Sequence, residues 1–378
     1  MVSRRRRAVL TAAAVAIAGC SSTGDGGGSA STTRTGTETA SSTGTGASET
    51  TAAETTETTA GEAAAEKVPL AEGSRYVGID RDTLRRNIVS GGPGKDGIPS
   101  IDEPKFVDAA TADETLGEAS RVFGVVVDGE ARAYPKQIVV YHEIVNDVIQ
   151  GQPIAVTYCP LTGTALGFER GETTFGVSGR LVNSNLVMYD RATDSWWPQM
   201  AGTCIRGELL GSFLREIPLT WTRWDRWKAA HPDTKVLSQE TGYIRAYGQD
   251  PYGRSYYTEG PPLFQPIVSS DRFDPKTVVL GARGTTSAVA VLKETLETEG
   301  VVSIQLDGEP AVAVYDDPLA TGYVYRNPEN RLVEATSEGV TVDGTVYAPQ
   351  ALPLPSVHAY EAMWFAWYGF YPETAVYA

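Results

Sequence analysis

The sequence predicts an α+β fold, mainly antiparallel β with short helices covering the sheets and two degenerate pseudo-repeats. Three observations predict it. Runs of β-type residues flank tight turns, as in Val122 to Tyr134 around Asp128-Gly129. Thr222 to Ala230 lacks Pro and Gly and stops at His231-Pro232, as a helix does before proline. The skeleton W-x-x-W-x-x-x-[HY]-P-[DE]-T-x-V at 224–236 returns at 364–376, with five identities in 13 positions.

In chain order, the first element is an address. Arg6-Arg7-Ala8-Val9-Leu10 fits a twin-arginine export signal, and the apolar run that follows ends near Ala18. That run is too short for a bilayer core of about 30 Å. Ile17-Ala18-Gly19-Cys20 reads as a lipoprotein cleavage box, with Cys20 lipidated; an ordinary signal peptide with an incidental Cys is the other reading. No later stretch approaches about 18 apolar residues, so the expectation is an extracytoplasmic protein anchored to membrane lipid through Cys20. Residues 21–66 are almost all Ser, Thr, Gly, Ala and Glu. Such a segment buries too little apolar surface to offset its ordering entropy and reads as a disordered tether.

The body begins at Lys67. Residues 67–240 read as a first pseudo-repeat with an N-terminal extension, 241–276 as a Tyr-, Gly- and Pro-rich connection, and 277–378 as a second, degenerate copy. In the first copy Pro135 opens a short helix and a turn with apolar residues at Ile138, Val139, Ile144 and Val145. Ile154 to Tyr158 and Ala165 to Phe168 read as strands around a Pro-Leu-Thr-Gly turn, and Val236-Leu237 as a returning strand. Gly151-Gln-Pro153-Ile-Ala-Val-Thr-Tyr158 echoes Gly308-Glu-Pro310-Ala-Val-Ala-Val-Tyr315 at an offset of 157. The same offset pairs Gly124 with Gly281 and Ala133 with Ala290. Trp224 and Trp227, like Trp364 and Trp367, share a helix face, which reads as packing of helix on sheet.

Composition removes several functions. The chain has 378 residues and a formal charge of −15, so most of its surface repels phosphate and general nucleic-acid binding is excluded. Three Cys make neither a disulfide scaffold nor a four-thiolate metal site. Only 8 of the 32 basic residues are Lys, a pattern suited to hydration in concentrated salt, where self-repulsion is screened.

Candidate chemistry lies in the first copy. At the 157 offset His142 becomes Glu299, Glu143 becomes Gly300 and Cys159 becomes Asp316. Cys159 ends a strand in Tyr158-Cys-Pro-Leu-Thr162-Gly-Thr164, where turn amides and the Thr162 hydroxyl would favour thiolate. The C-x-x-T spacing is that of a C-x-x-C redox motif with Thr162 in place of the second thiol. His142 and Glu143 supply a base and its orienter if they meet Cys159. The opposing reading is a small buried Cys and a hydrogen-bonded structural His. His231 reads as structural, and Cys204 could pair with Cys159 after export.

Several segments together resemble one family. They are Gly91 to Phe106, Ala131-Arg-Ala-Tyr-Pro135, His142-Glu-Ile-Val-Asn-Asp147, the Tyr158 to Thr164 turn, Asp190 to Trp196, His231-Pro-Asp-Thr234 and Trp364-Phe-Ala-Trp367. This set is similar to the domain of unknown function 3179 and covers nearly all of residues 74–378. Some members of that family carry a second Cys where Thr162 stands, and others are described as selenoproteins. The resemblance therefore implies redox chemistry at the Cys159 turn, while the missing second thiol argues against dithiol exchange here.

Three functions follow as expectations. One is a thiol-dependent redox protein using Cys159, His142, Thr162 and Glu143. Another is a copper site built from Cys159 and His142 with Met188 or His231, residue types that suit that metal. The third is a non-enzymatic lipoprotein that binds a small molecule or a protein partner. A Cys–His acyl hydrolase is weaker, since no nucleophile elbow is present.

Overall fold

The computed structural model describes residues 67–378. The expected export signal, its Cys20 and the 21–66 tether lie outside the described residues. The body consists mostly of antiparallel sheets with a few short helices, none of those described exceeding seven residues. No described helix is long and apolar enough to cross a membrane.

The hairpin expected at 122–134 forms from strands Arg121–Val127 and Glu130–Pro135. Asp128 (φ 47°) and Gly129 (φ 82°) take the two left-handed positions of its turn. Strand Thr220–Arg223 pairs antiparallel with the first strand, and Lys235–Leu237 pairs parallel with the second. Between them runs the helix Trp224–Ala230. Its Trp227 lies on the strand at Gly124, where a Cβ would come within 2.1 Å of the indole ring.

The same order and register occur again later in the chain. Strands Ala359–Met363, Val278–Arg283, Ala288–Leu292 and Ala375–Tyr377 lie side by side, the last of them parallel to its neighbour. Gly124 faces Ala133 and Gly281 faces Ala290. Trp367, on helix Trp364–Phe370, covers Gly281 as Trp227 covers Gly124, with a 2.2 Å approach to a Cβ there.

The recurring skeleton has a physical reason at each position. The indole N–H of Trp227 donates to Thr234 Oγ1 at 2.9 Å, and that of Trp367 to Thr374 Oγ1 at 3.0 Å. The residue before the Pro caps each helix: the N–H of His231 donates to the Trp227 carbonyl, and that of Tyr371 to the Trp367 carbonyl. Its ring packs on the same Trp, 4.1 Å from Trp227 for His231 and 4.5 Å from Trp367 for Tyr371.

A three-strand meander accompanies each of these sheets. One contains Ile144–Ile149, Gln152–Cys159 and Thr164–Glu169, edged by Glu216–Ile217. The other contains Val301–Leu306, Glu309–Asp316 and Thr321–Arg326, edged by Ser356–Val357. Here one expectation is refined. The helix opened by Pro135 is a single turn, Lys136–Val139, and Ile144-Val145 begin a strand. Glu143, at φ 59°, breaks the helical path and turns the chain into the sheet.

Two further sheets distinguish the parts. Phe175–Val182, Asn185–Asp190 and Trp196–Pro198 form one with Val89–Ser90; Val333–Thr336, Gly339–Val342 and Thr345–Tyr347 form the other. The largest apolar cluster takes Cys159, Phe168 and Trp197 from the earlier part and Val279, Trp364, Trp367 and Phe370 from the later one. A shared core of this kind makes residues 67–378 one packed body.

Candidate functional site

Cys159 is the last residue of its strand, and turn 160–163 leads from it into Thr164–Glu169. Gly163 (φ 62°) completes the turn in a conformation that side chains disfavour. The Thr162 carbonyl accepts the Met363 N–H at 3.2 Å, which ties the turn to the start of helix Trp364–Phe370. The Cys159 sulfur is buried, 1% exposed, and makes two contacts: it donates to the Ser184 carbonyl at 3.7 Å and accepts the Leu186 N–H at 3.4 Å. Burial, followed by the nearby Glu143 carboxyl, pushes the thiol up to about 11, and Thr162 and the Leu186 amide offset only part of this. The turn was expected to favour thiolate. In the folded chain desolvation outweighs the turn donors, and the sulfur is a thiol at neutral pH.

Thr162 is committed elsewhere as well. Its hydroxyl bonds Thr164 Oγ1 at 2.8 Å and accepts the Asn185 amide at 3.1 Å. Thr164 and Asn185 both donate to Gln199 Oε1, and Gln199 donates in turn to Thr157 Oγ1 at 2.9 Å. This closed network fixes the strand ends beneath the turn.

His142 does not meet Cys159. Its Nδ1 lies 2.7 Å from the Pro99 carbonyl, which can only accept, so Nδ1 carries the proton. Its Nε2 then accepts the Tyr247 hydroxyl at 2.7 Å. With both ring nitrogens satisfied and the ring fully buried, the imidazole is held below its ordinary pKa by burial. The expected base–thiol pair is therefore not formed, because Pro99 and Tyr247 saturate the ring.

Glu143 is the site residue whose backbone neighbours Cys159, through the strand residue Tyr158. It stands in the left-handed region at φ 59°, where the later sheet has Gly300 at φ 73°. Its carbonyl accepts the Tyr158 N–H at 2.7 Å, as that of Gly300 accepts the Tyr315 N–H at 2.8 Å. Burial alone lifts its carboxyl to about 8. A desolvated acid in a conformation natural to glycine is costly by about 1–3 kcal/mol of backbone strain, which marks the position as a functional candidate.

The remaining candidates lie apart. Cys159 and Cys204 are both free thiols, so the pairing considered between them is not made. Cys204 is buried, with its sulfur on the Arg206 carbonyl, and burial raises it to about 11. His231 stacks on Trp227, and Met188 is a fully buried core residue. Among the described residues no group of three or more His, Cys, Asp or Glu is placed to hold a metal ion.

Sequence reading passed over the residues that cover this region. Tyr256 donates to the Leu161 carbonyl at 2.7 Å, roofing the Cys159 turn. Burial raises both Tyr252 and Tyr256, with smaller contributions from Glu143 and Cys159 on Tyr252 and from Cys159 on Tyr256. Lys276 is 4% exposed, its ammonium without a hydrogen-bond partner and 3.6 Å from the Tyr256 ring centre. The concentration of Tyr in Tyr252-Gly-Arg-Ser-Tyr-Tyr257 is the sequence signal for this cover, inside the segment expected as a connection.

Outside the same turn lies the cleft that Gly163 helps to line. It encloses about 700 Å³ between strands Arg121–Val127 and Thr220–Arg223 on one side and Val278–Arg283 and Ala359–Met363 on the other. Trp221, Tyr257, Val278 and Met363 provide apolar surface. Trp221 is braced edge-on by Phe123 and Tyr158, at 5.1 and 5.7 Å. A preformed pocket with rigid aromatic walls and a few polar groups is the ordinary form of a small-molecule site.

A family model described as "Protein of unknown function (DUF3179)" matches residues 95–374, most of the chain. No curated protein and no solved structure matches it.

Proposed function

The chain belongs to the DUF3179 family, and from that premise we propose that it is an exported, membrane-anchored protein that binds a small molecule in the cleft beside the Cys159 turn. The cleft carries this reading. Its volume of about 700 Å³ falls within the range of about 300–1,000 Å³ usual for ligand sites. Cys159 and His142, by contrast, are sealed in the core with their polar atoms engaged. In this reading they are structural core residues and do no chemistry. Cys20 is lipidated, 21–66 is the tether, and the body is a duplicated unit whose later copy lost Glu143 and Cys159. The recurring strand order, the Gly–Trp contacts and the 157-residue offset support the duplication.

The test is a thermal-shift screen of the full chain against small anionic, neutral and cationic compounds, repeated on Val278→Trp, which puts a bulky ring into the cleft. At least one compound is expected to raise Tm by a few degrees, and Val278→Trp to abolish the shift. A panel that moves nothing, or a shift that survives Val278→Trp, overturns the reading.

Glu143 favours a second reading, thiol-dependent chemistry at Cys159 with Glu143 in place of His142 as its partner. The strained, desolvated acid, whose carbonyl accepts the N–H of the residue before Cys159, supports it. Under the binding reading Cys159 is alkylated at neutral pH more slowly than in the urea-unfolded chain. Faster labelling in the folded protein, mapped to Cys159 by mass spectrometry, would transfer the proposal to this second reading.

A further inference from the structure

We infer that the ligand of the cleft is a small organic anion, carrying a carboxylate or phosphate group on an apolar or aromatic body; this rests on the binding reading above. The charge of the lining runs against that of the molecule. A chain of formal charge −15 places Arg121, Lys136, Arg223, Arg254 and Lys293 around one cavity, with Glu361 as the one acidic lining residue.

Three of these cations are already paired. Lys136 is 2.7 Å from Asp250, Arg223 is 2.8 Å from Asp225, and Lys293 is 2.5 Å from Glu361. Arg121 and Arg254 are exposed, and no carboxylate among the described residues lies within ion-pair distance of either. Five cations less three paired carboxylates leave two positive charges at the cleft. Guanidinium groups bind carboxylate and phosphate oxygens through two parallel hydrogen bonds, a geometry that survives salt better than long-range attraction.

The body of the ligand is argued from the walls. Trp221 is held by Phe123 and Tyr158, and the Tyr257 ring lies 3.7 Å from the Lys136 ammonium. Both rings are fixed before any ligand arrives, so stacking costs little ordering entropy. A purely inorganic anion would leave this apolar surface unused.

The experiment titrates the full chain by calorimetry at constant ionic strength with benzoate, phenyl phosphate, inorganic phosphate, benzyl alcohol and benzylamine. Benzoate or phenyl phosphate is expected to bind more tightly than inorganic phosphate or either uncharged or cationic analogue. The Arg121→Ala/Arg254→Ala pair should weaken that binding about tenfold or more. An unchanged denaturation midpoint without ligand certifies the fold of the double variant, and Arg121→Lys/Arg254→Lys should recover part of the affinity. Benzyl alcohol or benzylamine binding as tightly as benzoate, with loss in Val278→Trp, overturns the anion while sparing the cleft. Inorganic phosphate binding as tightly as phenyl phosphate overturns the organic body, and anion binding indifferent to the two arginines overturns the assignment. No binding by any probe, together with a silent thermal screen, removes the cleft reading as well.

Discussion

Glu143 carries an unusual share of the free energy for a single residue. Its backbone occupies a glycine-like conformation, and its carboxyl, pushed up to about 8, stays protonated through most of the neutral range. The folded state therefore holds a proton that the unfolded chain releases near its ordinary value of 4.5. Stability from this group is present below pH 4.5 and is lost as pH rises toward 8. The expected outcome for Glu143→Gln is a flatter urea-midpoint profile over that window, the wild type losing on the order of 4 kcal/mol between its ends and the variant losing little of it. A variant whose pH profile runs parallel to that of the wild type would show that the carboxyl is ionised in the fold. Glu143 was named from the sequence only as an orienter for His142. Its proximity to Cys159 was not legible, because it depends on the chain reversing at a left-handed residue that is not glycine. The saturation of His142 was equally hidden, since Pro99 and Tyr247 lie 43 and 105 residues away.

At the scale of elements, the helix–sheet contact was the most legible part of the chain. W-x-x-W-x-x-x-[HY]-P-[DE]-T encodes a helix, its cap, the ring that stacks on it and the hydroxyl that receives the indole proton. The Gly beneath each Trp also appeared at the 157 offset, though its reason did not. Steric contact supplies it. Gly281→Ala places a methyl 2.2–2.5 Å from three Trp367 ring atoms in a packed core, and Gly124→Ala does the same at Trp227. Each is expected to cost about 1–3 kcal/mol, read as a lowered urea midpoint. Gly117→Ala, which meets nothing within 4 Å, should stay within about 0.5 kcal/mol of the parent. Equal effects at all three positions would remove the packing argument. The sheets at 175–198 and 333–347 went unread, because they have no counterpart in the other half and so gave no internal comparison.

At the scale of the molecule, one buried ion pair joins the earlier and later parts. Arg283, on an inner strand of the later sheet, is 2.5 Å from Glu216, on the edge strand of the earlier meander. Their side chains are 3% and 6% exposed, and Arg283 also donates to the Ala201 carbonyl and the Tyr371 hydroxyl. Burial by itself would raise the Glu216 carboxyl, but Arg283 and then His358 outweigh it and hold it below its ordinary value of 4.5. The sign is opposite to that of Glu143: this stability is present above pH 4.5 and lost as pH falls below it. Removing one partner strands the other in the core, so Glu216→Gln or Arg283→Met should each cost about 3–5 kcal/mol. Replacing both at once, as Glu216→Leu/Arg283→Met, should recover most of that loss, because no charge is then left buried. The cleft makes the comparison more than a stability measurement, since its two walls belong to the parts that this pair holds together. A double variant that regains its urea midpoint should also regain ligand affinity if the pair acts only as a clasp. Regained stability with binding still lost would mean that the charges themselves set the spacing of the walls.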